Sequence, residues 1–178
     1  MNTDLGMCHV NNSDMAAVAG QHAIACAGLT PEDIDVVILA TCTPDSIVPS
    51  AAAHVQRKLG AVNASVYDIN AACAGFVYAL EQGKAFVESG LYKRALIIGS
   101  EHITWLLDWS DRNTAVLFGD GAGAVVVEES KKEENFCLKW QSLRMIRNQV
   151  CLPHFKTKNC LYLTSKCRGM HFNIVLMF

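Results

Sequence analysis

The sequence predicts an α/β domain with a layered sheet, and three observations predict it. Short runs of β-branched apolar residues alternate with longer segments of helix-forming residues. Glycines stand at the ends of those longer segments, where helices stop. Just over half of the 178 residues are apolar (51%) and 18% are charged, which fits a buried core and excludes a disordered chain.

The elements follow in order. Ser13-Asp14 can cap a helix from Met15 to Ala27, with Gly28 as its stop. Thr30-Pro31-Glu32-Asp33 reads as a turn. Ile34 to Thr41 is an apolar run, broken only by Asp35, of the kind found in a strand buried on both faces. Pro49-Ser50 opens a second helix through Leu59, stopped by Gly60. Ser65 to Ile69 is a short strand. Cys73 to Ser89 is long enough for a helix and is stopped by Gly90. Arg94 to Gly99 is another buried strand. Thr114 to Phe118 and Ala122 to Glu128 read as strands flanking the turn Gly119-Asp120-Gly121. The alternation implies a mainly parallel sheet covered on both faces.

Residues 131–178 differ in kind. Residues 1–130 carry 6 basic and 15 acidic side chains and so −9, whereas 131–178 carry 9 basic and 2 acidic and so +7. Only Gly169 lies in the second stretch, and no period of 2 or 3.6 is sustained there, so it reads as an irregular, atypical basic tail. The organisation is therefore a domain over 1–130 and a tail over 131–178. The tail cysteines Cys137, Cys151, Cys160 and Cys167 contain no Cys-x-x-Cys pair and make no metal motif. The tail is too apolar for a nucleic-acid arm. No run is long enough to span a membrane and no secretory signal opens the chain, which implies a cytoplasmic setting in which eight cysteines are thiols.

The strongest candidate site is the stretch from Asp68 to Leu80. A strand ends, small residues follow, and Cys73 stands at the start of a helix. The first turn of a helix has free N–H groups and the positive end of its dipole, which favour thiolate over thiol. A thiolate there is a nucleophile for acyl transfer, and its own N–H can help hold an oxyanion. Local context leaves a second reading open, a small buried cysteine. Cys26 and Cys42 read as structural. Gly119, Gly121 and Gly123 suggest a tight, closely packed turn; they lack the Lys-Ser/Thr of a phosphate loop.

Four phrases occur in order: Val48-Pro-Ser-Ala, Asn70-Ala-Ala-Cys-Ala-Gly-Phe-Val-Tyr-Ala-Leu80, Ala95-Leu-Ile-Ile-Gly-Ser-Glu101, and Asp111-Arg-Asn-Thr-Ala-Val-Leu-Phe-Gly-Asp-Gly-Ala-Gly-Ala124. Together they resemble the β-ketoacyl-acyl-carrier-protein synthase III family of the thiolase superfamily, over roughly residues 13–130. The resemblance implies a thiolase-like αβαβα layered fold of which one half, the N-terminal one, is present. It implies an acyltransferase of fatty acid biosynthesis, in which acetyl or another acyl group passes from coenzyme A to Cys73 and then condenses with malonyl-acyl-carrier protein. Coenzyme A enters as a thioester substrate, and no cofactor or metal is expected. Arg112 matches an arginine that stacks on the adenine of coenzyme A. Phe118 matches an acyl-pocket residue, and Val48 a position that reaches into the partner subunit's pocket of a homodimer. Nucleic acid and membrane are not expected partners.

The departures from the family lie downstream. Its His-Gln-Ala-Asn-like and Gly-Asn-like contexts are absent, and neither His154 nor His171 matches. His22, His54 and His102 read as helix-surface or loop residues. The family's opening segment is also missing. Codon junctions in the tail, read one base out of frame, are forced to Ala at Trp140-Gln141, Asp at Met145-Ile146 and Ala at Met170-His171. The shifted frame can spell phrases like those that follow Gly-Asp-Gly-Ala-Gly in the family. The expectation is a frameshift near Asn135 or Phe136, with condensation lost. The rival readings are another condensing enzyme of the superfamily and a non-catalytic thiolase-fold remnant.

Overall fold

The computed structural model describes residues 10–129 and, as backbone, the strands Cys160–Cys167 and Met170–Met177. The elements are α1 (Asn12–Cys26), β1 (Val36–Ala40), α2 (Ala51–Leu59), β2 (Ser65–Ile69), α3 (Gly75–Glu88), β3 (Arg94–Glu101), β4 (Gly121–Glu129), β5 (Cys160–Cys167) and β6 (Met170–Met177). They build one sheet of order β2-β1-β3-β4-β6-β5.

The apolar runs become strands because both faces of the sheet are covered. In β1 all five residues are buried. Val37 and Leu39 face α1 and α2, together with Leu96, Ile98, Ala124 and Val126. Val36 and Ile38 face α3, together with Ala95, Ile97, Val125 and Val127. The period of 2 thus assigns alternate residues to two cores. Burying each Val, Leu or Ile side chain there contributes about 1.5–3 kcal/mol. In α1 the buried face is Ala16, Ala19, Gly20 and Ala23, at helical spacing. These small residues bring the helix close to the sheet: a Cβ on Gly20 would lie 3.2 Å from Ile98 Cδ1.

Several boundaries hold and several expectations change. Gly60 and Gly90 stop α2 and α3 at φ 78° and 72°. Ser13 and Asp14 do not cap α1 from outside. The helix begins earlier, and Asp14 reaches back to the Asn11 N–H at 2.8 Å. The sheet is not mainly parallel. β2, β1 and β3 are parallel, whereas β4 runs antiparallel to β3, and β6 and β5 continue antiparallel. The connection from β3 to β4, residues 102–120, holds a 3-10 turn and loops but no α-helix of the kind that usually carries a parallel crossover.

Thr114–Phe118 is not a strand. Asp111 accepts the Asn113 N–H at 2.9 Å and the Thr114 hydroxyl at 2.8 Å, and its carbonyl accepts the Ala115 N–H at 3.0 Å. Those bonds hold the segment in turns and leave Val116 and Leu117 exposed. Within 131–178 the described residues are two strands. β6 pairs with β4 from Ala122↔Met177 to Glu129↔Met170, and β5 covers β6. The outer edge of β4 offers unpaired backbone groups, and the apolar run 174–177 can satisfy them. His171 falls in β6; His154 and residues 130–159 lie outside the described residues.

Candidate active site at the carboxyl ends of the parallel strands

The three parallel strands end at one edge, and the loops there carry every candidate residue. The loop after β1 holds Cys42 and Val48. The turn after β2 holds Cys73. The segment from β3 to β4 holds His102, Arg112 and Phe118, and antiparallel β4 starts from the same edge, Glu101 facing Gly121. In open α/β sheets this is where ligands bind.

Cys73 is exposed, in a 3-10 turn (Ala72–Ala74) that runs into α3. Ala71 leaves the strand at φ −141°, ψ 32°, and Ala72 takes φ 46°. A left-handed alanine costs on the order of 1–2 kcal/mol. The turn reverses the chain within three residues and holds the thiol outward, so the reading of Cys73 as a small buried residue is set aside. Gly75 is required by approach: a Cβ there would lie 3.3 Å from Ala40 Cβ.

A polar network holds the adjoining loop. Glu101 accepts the Cys42 N–H at 2.8 Å, the Thr43 hydroxyl at 2.5 Å and the Thr41 hydroxyl at 3.3 Å. Thr43 Oγ1 accepts the His102 N–H at 2.8 Å. From α1, buried Asn12 donates through Nδ2 to Thr41 Oγ1 at 2.8 Å and to the Thr43 carbonyl at 2.9 Å. Sequence reasoning missed both Asn12 and Glu101 as organisers; the only local signals were a polar residue one step before the expected helix cap and a charge just past an apolar strand.

Cys42, expected to be structural, is exposed and stands beside Cys73. Burial first, then the Glu101 carboxylate, pushes its thiol pKa up. Cys26 is likewise exposed, at the end of α1.

The 108–120 segment is shaped by aspartates. Asp108 accepts the Ser110 hydroxyl at 2.6 Å and N–H at 2.9 Å, and Asp111 accepts from Asn113 and Thr114. These bonds hold both carboxyls below their ordinary range. Asp120 accepts the Thr104 N–H at 2.9 Å and hydroxyl at 2.6 Å, and lies 3.5 Å from His102 Nε2. Arg112 and Phe118 are exposed on this segment, and Val48 is 83% exposed across the edge. Gly119 meets open space, so close packing does not explain that glycine. His22 lies on α1; His54, on α2, faces the Ser46 hydroxyl at 3.5 Å. Among the described residues no group of three or more His, Cys, Asp or Glu is placed to hold a metal, and no helix is long and apolar enough to cross a membrane.

Comparison with known proteins agrees with this geometry. The family model for 3-oxoacyl-[acyl-carrier-protein] synthase III matches residues 67–142. The chain is 53% identical over 125 residues to "Beta-ketoacyl-[acyl-carrier-protein] synthase III 2" of Vibrio cholerae, covering 70% of this chain and 34% of the relative. It is 52% identical over 126 residues to "Beta-ketoacyl-[acyl-carrier-protein] synthase III" of Streptococcus thermophilus, covering 71% and 39%. The crystal structure of 3-oxoacyl-[acyl-carrier-protein] synthase III from Aquifex aeolicus superposes with a TM-score of 0.69 at 45% identity, over 72% of this chain and 42% of that one. The chain thus spans about a third to two-fifths of the curated relatives it matches. Motifs, fold and relatives converge: over the Cys73 region the chain matches the N-terminal half of the 3-oxoacyl-[acyl-carrier-protein] synthase III family and carries its thiolase-like α/β fold.

Proposed function

We propose that this chain is the nucleophile-bearing part of a β-ketoacyl-acyl-carrier-protein synthase III, and that Cys73 accepts the acyl group. One observation carries the reading: an exposed cysteine on a strained turn at the head of α3, at the ligand-binding edge of the sheet. The Cys73 sulfur attacks the thioester carbonyl of acetyl- or acyl-coenzyme A. The carbonyl oxygen takes up negative charge, and the coenzyme A thiol leaves. N–H groups at the start of the helix are the natural donors to that oxygen.

Arg112 is assigned to the adenine of coenzyme A, Phe118 to the acyl pocket and Val48 to the pocket of a partner subunit. Support comes from their exposure at one edge and from the turns that hold 108–114. A homodimer fits the exposed Ile47, Val48, Trp105, Trp109, Val116 and Leu117, a large apolar surface for a chain of this size.

Condensation with malonyl-acyl-carrier protein belongs to the whole enzyme. Decarboxylation builds enolate charge that needs placed donors, and losing such donors costs on the order of 100- to 1,000-fold each. The family's histidine and asparagine contexts do not occur in these 178 residues. Residues 1–178 therefore load an acyl group and do not condense it. We hold the tail 131–178 to be out-of-frame sequence; the β5–β6 hairpin accords with this, because an extended segment with an apolar run at 174–177 satisfies a free sheet edge whatever its origin. Sequencing codons 130–178 decides that point.

The test of function is radiolabelled acetyl transfer from acetyl-coenzyme A, scored apart from acetoacetyl-acyl-carrier protein formed with malonyl-acyl-carrier protein. Label on Cys73, lost in Cys73→Ala, is the expected result. Label that persists in Cys73→Ala, or none on the folded protein, overturns the assignment.

A further inference from the structure

Two thiols meet where β1 and β2 end. The strands pair from Val36↔Ser65 to Ala40↔Ile69, and the pairing continues as the Thr41 N–H donates to Ile69 O at 3.1 Å. Cys42 is the next residue on one side. On the other, the turn through Ala71 and Ala72 leads the chain against β1, where a Cβ on Gly75 would lie 3.3 Å from Ala40 Cβ. The Ala72 N–H bonds to the Cys42 sulfur, and Cys73, the residue after Ala72, lies within electrostatic reach of it. Both cysteines are exposed. The Cys42 thiol is also bonded to the Glu101 carboxylate, which holds the Cys42 N–H as well.

We infer that Cys42 and Cys73 form a peroxide-responsive dithiol, in which a hydroperoxide oxidises Cys73 and Cys42 resolves the product as a reversible intramolecular disulfide. In the first step the Cys73 sulfur attacks the hydroperoxide. An S–O bond forms and the O–O bond breaks. Cys73 becomes a sulfenic acid, and the peroxide leaves as an alcohol, or as water from hydrogen peroxide. In the second step the Cys42 sulfur attacks the Cys73 sulfur. The S–S bond forms, the S–O bond breaks, and hydroxide leaves as water with the Cys42 proton, which Glu101 is placed to relay. Two thiols lose two electrons and two protons, and the peroxide is reduced.

The two roles are not interchangeable. Burial and Glu101 keep Cys42 protonated at neutral pH, so it is a poor first target for peroxide. An unresolved sulfenic acid proceeds to sulfinic acid, which thiols do not reverse. A disulfide stores the same sulfur in a form that thiols restore. The pair does not depend on the acyl-transfer reading, since it needs only two exposed, adjacent thiols.

The experiment treats reduced 1–178 protein with hydrogen peroxide, blocks remaining thiols, and digests with trypsin and an Asp-specific protease. That digest isolates Cys42 in residues 35–44 and Cys73 in residues 68–84. A peroxide-dependent cross-link between these peptides, removed by dithiothreitol, is expected. In Cys42→Ser, Cys73 should instead accumulate as sulfinic acid. Wild-type protein that yields sulfinic Cys73 with Cys42 still alkylatable overturns the inference, as does a disulfide from Cys42 to Cys8 or Cys26. Acetyl loading is measured on the same samples before peroxide. A cross-link without loading refutes the acyl-transfer reading alone; loading without a cross-link refutes the dithiol alone.

Discussion

Asn12, in the first turn of α1, and Ser100, near the end of β3, hydrogen-bond each other inside the core although they are 88 residues apart. Both are 2% exposed. The Asn12 amide also holds Thr41 and Thr43, so one buried side chain ties the helix to β3 and to the loop after β1 that carries Cys42. Asn12→Ala strands the Thr43 carbonyl and leaves the Ser100 hydroxyl only the residue-12 carbonyl at 3.4 Å. Each orphaned group costs about 1–3 kcal/mol, so a loss on the order of 2–4 kcal/mol is expected in urea unfolding. A loss under 1 kcal/mol would mean that water replaces the network.

Asp68, in β2, caps α2 from a distance. Its carboxylate accepts the N–H groups of Ala51 and Ala52, each at 2.7 Å. These are first-turn donors with no partner in their own helix. Asp68→Ala should cost about 1–2 kcal/mol, and Asp68→Asn less, because the amide oxygen can still accept one bond. Equal stability of the two variants would deny the cap.

Much of this was legible in local pattern, and what was missed is non-local. The runs Ile34–Thr41 and Arg94–Gly99 are apolar enough to specify β1 and β3 by themselves, and Gly60 and Gly90 mark where α2 and α3 stop. Cys73 was legible because a strand, small residues and a helix adjoin it in sequence. Its neighbour Cys42 was not, since the Cys42–Glu101 contact closes over 59 residues. The apolar run ending at Phe118 imitates a strand, but a single aspartate at 111 captures the donors of 113–115 first. No periodicity in one strand reports whether its partner runs parallel, so the reversal at β4 was invisible.

Gly83 lets α3 lie against β3. A Cβ there would sit 2.5 Å from Ile97 Cδ1 and 3.2 Å from Cγ1. Alanine gains about 1 kcal/mol of helix propensity, and overpacking costs about 1–3 kcal/mol. Gly83→Ala should therefore be neutral to destabilising. Trimming the neighbour tests the cause: adding Ile97→Val should cost less in the Gly83→Ala background than in the wild type. Strict additivity would remove the steric account.

Stability should fall in two stages as pH drops. Burial lowers the pKa of His22 from 6.5. The unfolded chain then takes up this proton before the folded one, so the contribution is full above pH 6.5 and is lost below it. For Asp14, burial raises the pKa, but the Lys58 ammonium at 2.6 Å and the Asn11 N–H outweigh it, leaving a net value below 3.8. That contribution is full above pH 3.8 and is lost as pH falls through the folded value. Urea midpoints across this range should lose the upper stage in His22→Gln and soften the lower one in Asp14→Asn. Parallel curves for all three proteins would show that these groups do not set the dependence.

Glu101 should govern how the two neighbouring thiols divide their reactivity. Cys42, Cys73 and Cys26 are all exposed, so access alone does not rank them. Cys42 is held back because burial and then the Glu101 carboxylate raise its pKa, and the thiolate is the species that alkylates. Cys73 stands at the open start of α3 with no such carboxylate partner described, and should react first with iodoacetamide near neutral pH. Glu101→Gln removes the negative charge and leaves the burial. The Cys42 pKa should then fall part of the way back, and its alkylation should quicken by about three- to tenfold. Peptide-resolved rates separate the causes. Acceleration confined to Cys42 identifies the carboxylate as the restraint. Equal acceleration of Cys42, Cys73 and Cys26 would instead report a loosened fold and end the electrostatic account.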